Sequence, residues 1–150
     1  MKYFSLFRIA AYLTLLFCAA HTAGGMLAQK SLGPASDAVF AAMKSTHFEF
    51  NGADCTWYGF WFGFGLTVSA FLVLVAVTAL VLDRVTPDAW PQVQAIAWAL
   101  IVAMAFNGVM AWRYFFAGPT VFSVVIVALL IAGTMRKSSK PGPDAATHGA

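Results

Sequence analysis

Charge is what this sequence has least of. Lys, Arg, Asp and Glu make up 10% of its 150 residues, nine basic against six acidic, while 61% of the chain is hydrophobic. Soluble domains carry about a quarter of their residues as charges, so the composition excludes a soluble catalytic domain beside the apolar segments. Cysteine is nearly absent: Cys18 and Cys55 form no Cys-x-x-Cys pair, which argues against thiol–disulfide exchange of the quinone-coupled kind. A Cys18–Cys55 disulfide is not expected either, because the two differ in depth. His21, His47 and His148 are too few and too scattered for a haem or metal site, and no cofactor is expected. The chain has no Ser–His–Asp pattern, no phosphate-binding loop and no basic stripe, so no nucleic-acid partner is expected.

What is present is apolar length. A span needs about 20 mostly apolar residues to cross about 30 Å of hydrocarbon, and four runs qualify, at about 3–27, 57–82, 90–112 and 119–135. Lys2 precedes the first, and Arg8 is placed to snorkel toward headgroups. A secretory signal is the competing reading of that run, with Lys2 and Arg8 as its basic start and Ile9 to Ala20 as its apolar core. Phe17 directly before Cys18 argues against lipoprotein processing. The second run ends sharply at Asp83 and Arg84. Thr86 is a candidate N-cap with Pro87 opening the third helix, and Pro119 opens the fourth. Residues 1–137 are read as one membrane domain. The tail 138–150, rich in Pro, Gly, Ser and Ala, is expected to be disordered.

Positive residues are retained in the cytoplasm. With the N-terminus inside, Lys2, Arg8, Arg84, Arg136, Lys137 and Lys140 are cytoplasmic, and Lys30, Lys44 and Arg113 are outside. The fold class expected is therefore all-α, a four-transmembrane-helix bundle with both termini inside, in a bacterial cytoplasmic membrane. The long first connection, residues 29–56, then lies outside. Long connections are usually functional or structured, and "SDAVFAAMKSTHFEF" reads as a short amphipathic helix with Ser36 as N-cap and Asp37 in its first turn. Phe40, Met43 and His47 would share its inward face.

At about 1.5 Å per residue, His21 and Asn107 fall at a similar depth in the outer half of the bundle. Glu49, Asp54, Trp57, Tyr58, Trp112 and Arg113 come above them. The inner half is lipid-type sequence, "VSAFLVLVAVTALVL" and "VVIVALLIAG", which argues against a pore or proton path. Ionisable and amide groups within spans usually face a partner or a wet cavity. His21 therefore either ties two helices through Asn107 or a backbone carbonyl, or forms the polar floor of a pocket. Glu49 or Asp54 could orient it, or pair with Arg113. In "TWYGFWFGFG", Gly59 and Gly63 form a G-x-x-x-G packing step with Gly65 beyond. Trp57 and Tyr58 fit an interfacial belt, and Trp61, deeper, could flank a flat apolar ligand.

The segment His21-Thr22-Ala23-Gly24-Gly25, followed by Met43, Phe48, Gly52, Thr56-Trp57-Tyr58 and Gly63-Phe64-Gly65, resembles a family of short bacterial four-helix integral membrane proteins with an H-T-x-G-G segment in the first helix. The resemblance covers the chain to about Met135 and implies fold and location, with no activity to transfer. In general outline the chain is also similar to sterol-isomerase-related and quinol-oxidase-accessory four-helix groups, whose pockets handle lipophilic molecules. Two readings follow. In the first, the chain binds a membrane lipid, a quinone-like molecule or a partner subunit, a second copy included, through His21, Trp57, Tyr58, Trp61, Asn107, Trp112 and Arg113. The alternative is an isomerase-type enzyme acting on a lipophilic substrate, with His21 as acid–base group oriented by Glu49 or Asp54.

Overall fold

The computed structural model describes residues 5–28 and 30–139. The expected tail beyond 139, with His148, lies outside them, as does Lys2. Four helices are long and apolar enough to cross a membrane: Leu6–Leu27, Trp57–Arg84, Trp90–Tyr114 and Ala117–Ser138. The chain divides into two compact units, one of residues 1–17 and 73–150, the other of residues 18–72.

The first unit contains most of helix α1 (Leu6–Ala19), the second half of α3 (Trp57–Arg84), α4 (Trp90–Tyr114) and α5 (Ala117–Ser138). Each helix buries a narrow stripe: Phe7, Ala10, Ala11, Thr14 and Phe17 on α1, Val75, Ala76, Ala79 and Leu82 on α3, Ala97, Leu100, Ile101 and Met104 on α4, and Ser123, Ile126 and Leu130 on α5. These spacings of three and four residues select one helical face. Small residues recur in the stripes because lipid supplies no hydrophobic drive between helices, and close packing must substitute for it. A Cβ on Gly133 would meet the Phe7 ring at 3.1 Å, and one on Gly108 would meet Ser123 Cβ at 3.1 Å. The opposite faces expose Leu16, Val81, Val102 and Val124, side chains suited to lipid.

One end of this unit is tied by polar groups. Arg8, its side chain half-exposed, donates from Nε to Asp83 Oδ2 at 2.5 Å, and the Asp83 side chain is 6% exposed. Lys137 Nζ donates to the carbonyls of Leu82, Asp83 and Val85 at 2.6, 2.9 and 2.7 Å. Those acceptors belong to the last turn of α3 and the residue just beyond it, where carbonyls lack intrahelical partners and the helix dipole favours a cation. Trp90 Nε1 donates to Ser138 Oγ at 3.0 Å, and the Trp90 and Phe7 rings lie 5.8 Å apart. Helix α5 thus continues past its basic stop through Lys137 to Ser138, where the tail was expected to begin. Thr86 and Pro87 sit in the connection, and α4 opens at Trp90 with Pro91 in its first turn. Thr86 therefore does not cap α4, which has Ala89 at its N-cap. Pro119 falls in the first turn of α5, which begins at Ala117.

In the second unit α1 continues as Ala20–Leu27, wound in wider turns of the π type. Helix α2 (Pro34–Ser45) begins two residues before the expected cap: Gly33, at φ +104°, is the N-cap and Pro34 opens the helix. Proline's fixed φ suits that place, while Ser36 falls inside the helix. Asp37 is in the first turn, and its carboxylate accepts from Ser31 Oγ at 2.5 Å. After Thr46 the backbone extends, and strand β1 (His47–Phe50) pairs antiparallel with β2 (Ala53–Thr56). His47 is therefore on a strand and does not continue the face of Phe40 and Met43. The turn is Asn51-Gly52, both at positive φ, 52° and 81°. This dipeptide matches the right-handed twist of paired strands and is the strongest short hairpin signal. Thr56 Oγ1 then accepts from Gly59 N at 3.0 Å and caps the start of α3.

Candidate functional site

The stretch "AHTAGGML", residues 20–27, is the π-type segment. Its geometry explains its residues. His21 Nε2 lies 3.0 Å from the Gly65 carbonyl oxygen, and Met26 packs against the same glycine so closely that a Cβ on Gly65 would collide with its thioether. His21 and Met26 are five residues apart. In an α-helix of 3.6 residues per turn they would diverge to different faces, whereas i→i+5 winding stacks them. The bond from Ala28 N to Ala23 O, 2.9 Å, keeps that register to the end of the segment. Wide turns of this kind recur at functional sites.

On α3 the matching face is Trp61, Gly65 and Ser69, spaced by four. Ser69 Oγ lies 2.8 Å from Thr22 Oγ1, and Cys18 Sγ donates to the Ser69 carbonyl at 3.5 Å. Cys18 and Cys55 are both free thiols. One turn toward the start of α3, Phe40 of α2 meets Trp61 edge-on, with centroids 5.4 Å apart. Tyr58 lies 5.6 Å from Trp61 and beneath Lys44 Nζ, 4.7 Å from the ring centre. Phe48 of the hairpin covers Trp57 at 4.7 Å. The connection between the first two spans thus folds onto the start of α3 through aromatic faces, and the expected site residues His21, Trp57, Tyr58 and Trp61 belong to this one unit.

Gly25 stands beside His21: a Cβ there would come 3.9 Å from Nδ1, while Gly24 faces open space. The close approach on α3 is at Gly65. Among the described residues Gly59 approaches its own cap, Thr56, and Gly63 meets nothing within 4 Å, so the contact of α1 with α3 is not made at the G-x-x-x-G step.

Of the two carboxylates proposed to orient His21, Asp54 is engaged elsewhere and Glu49 lies on the hairpin strand β1. Asp54 accepts from His47 Nδ1 at 3.0 Å, with both side chains exposed, and Glu49 lies opposite Asp54 in the hairpin register. In the first unit Asn107 Nδ2 donates to Ser123 Oγ at 3.1 Å, and that hydroxyl donates onward to the Pro119 carbonyl at 2.9 Å. Asn107 is thus a tie between α4 and α5. Trp112, 75% exposed, lines a cavity of about 240 Å³ with Phe115, Phe116 and Thr120. Arg113 lies exposed in the last turn of α4.

Met26 and Ser69 were not singled out from the sequence; Phe40 was expected on the inward face of the loop helix, without Trp61 as its partner, and Thr22 within the His21–Gly25 segment, without Ser69 as its partner. The Trp61–Gly65–Ser69 spacing could have identified the α3 face. The π winding carries no comparable signal. Among the described residues no group of three or more His, Cys, Asp or Glu side chains could hold a metal ion. No protein-family model matches the chain, and neither curated proteins nor solved structures give a match.

Proposed function

We propose that this chain is a multi-pass protein of a bacterial cytoplasmic membrane that holds a lipophilic molecule, a lipid or a quinone-like compound, against His21. The excess of Lys and Arg on one side supports an orientation with both termini inside. Helix α2 and the hairpin are then extracytoplasmic, and Trp57, Tyr58 and Trp61 lie near the outer headgroups. The observation that carries the binding reading is the commitment of His21: one ring nitrogen is fixed on the Gly65 carbonyl and the other, near Gly25, has no hydrogen-bond partner among the described residues. A polar atom left open in a span needs a partner from outside the chain or from water. Binding is preferred to isomerase chemistry because Asp54 is spent on His47 and His21 has a backbone carbonyl in place of a carboxylate.

Mass spectrometry of molecules co-purifying with the wild type and with His21→Ala tests the reading. A lipophile retained by the wild type and lost from a folded variant supports it. An identical lipid profile in the two proteins rejects it.

A further inference from the structure

We infer that the molecule at His21 is recognised through a hydroxyl group that it donates, so that a quinol or another hydroxylated lipophile is held in preference to its quinone or ether counterpart. The inference rests on the reading of His21 as a ligand site and adds the polarity of the ligand.

His21 is bonded to the Gly65 carbonyl. A carbonyl oxygen only accepts, so His21 Nε2, 3.0 Å away, carries the hydrogen. In a neutral imidazole with Nε2–H, Nδ1 offers a lone pair and no proton. The neighbouring donors are committed: Thr22 and Ser69 bond each other, Ser69 also reaches the Gly65 carbonyl at 3.4 Å, and Cys18 is turned to the Ser69 carbonyl. Among the described residues nothing donates to Nδ1. The residue beside that nitrogen is Gly25, whose Cβ, were there one, would lie 3.9 Å from it.

A ligand carbonyl or ether at Nδ1 would set two acceptors against each other, whereas a hydroxyl satisfies the nitrogen. Trp61 lies one helical turn from Gly65 on the same face of α3, with Phe40 edge-on to it, and such rings suit a flat partner. Phenolic hydroxyls and lipid alcohols share the required chemistry.

The full chain in lipid nanodiscs is titrated calorimetrically with two pairs of probes: decylubiquinol against decylubiquinone, and farnesol against farnesyl methyl ether. The hydroxylated member of at least one pair is expected to bind about tenfold more tightly, the scale of one hydrogen bond. Preference in the quinol pair alone identifies a flat phenol, and preference in both identifies any hydroxylated lipophile. His21→Phe is expected to bring the members of a pair to within about twofold while leaving the quinone and ether unchanged. Equal binding within both pairs, or a preference that survives His21→Phe, overturns the inference and leaves the ligand reading standing. Failure of all four probes to bind removes the ligand reading as well. Nitrogen NMR of histidine-labelled wild type is independent of any variant's folding. A proton on Nε2 and a bare Nδ1 whose shift moves with decylubiquinol are expected; a proton on Nδ1 overturns the inference.

Discussion

Arg8, half-exposed near the start of α1, holds the nearly buried carboxylate of Asp83 at the end of α3 at 2.5 Å. The pair is lopsided: Arg8 has an alternative in water or headgroups, and Asp83 has little. Arg8→Ala is therefore expected to destabilise by about 1–3 kcal/mol, the penalty for leaving a buried polar group unsatisfied. Asp83→Asn, which retains an acceptor, is expected to destabilise less. Thermal unfolding of the two variants in detergent measures the difference. Equal losses would mean that Arg8, not the buried carboxylate, sets the energy.

Lys137 gives its ammonium protons to three carbonyls at the end of α3. Lys137→Met should destabilise by about 1.5–3 kcal/mol, since the bonds involve a charged donor. Lys137→Arg should not restore the loss, because a planar fork cannot copy the three rotatable donors of an ammonium. The same unfolding assay decides it, and full stability in the arginine variant would reduce the contact to charge alone.

Gly65 is where Met26 lies against α3. Gly65→Ala should cost about 1–3 kcal/mol through overpacking, and Met26→Ala added to it should recover part of that loss. A double-mutant cycle gives the coupling. Additive losses would place the cause in the helix backbone.

Gly25 leaves open the space beside His21 Nδ1 without a positive φ to preserve. Gly25→Leu should keep the fold and weaken retention of the co-purifying lipophile about tenfold, as expected when one hydrogen bond is blocked. Mass spectrometry on a variant with wild-type unfolding temperature checks this.

Asp88, in the connection before α4, has its carboxyl held below its ordinary pKa, first by the hydrogen bond from Thr86 and then by its own backbone. A carboxyl with a lower pKa in the folded state stabilises at neutral pH, and that contribution is lost as the pH falls through the folded value. Thr86→Val should raise the Asp88 pKa, read by carbon NMR titration of labelled aspartate. An unchanged midpoint would leave the backbone as the sole cause.

The α2–hairpin connection divides what was legible from what was not. Asp37 and the run through Lys44 indicate a helix by composition, and Asn51-Gly52 indicates a hairpin by backbone sterics, which ends the helix-like spacing of Phe40, Met43 and His47 at Ser45. Thr86 has the residue type of a cap and a proline after it, yet α4 opens only at Trp90 with Ala89 before it; the partner of Arg8, Asp83, is 75 positions away and no local pattern points to it.

The sequence by itself determined four apolar spans with their ends within a few residues, because the thickness of hydrocarbon and the need to satisfy every backbone group leave a long apolar run one solution. It also marked His21 as out of place in such a run. Tertiary structure decided what His21 does. The π winding that stacks it with Met26 over Gly65 depends on a contact between residues 44 positions apart in the chain, and local propensity does not encode the facing surface. The same holds for Lys137 and the end of α3: the cation is visible in the sequence, but the carbonyls it satisfies are fixed only when the helices pack.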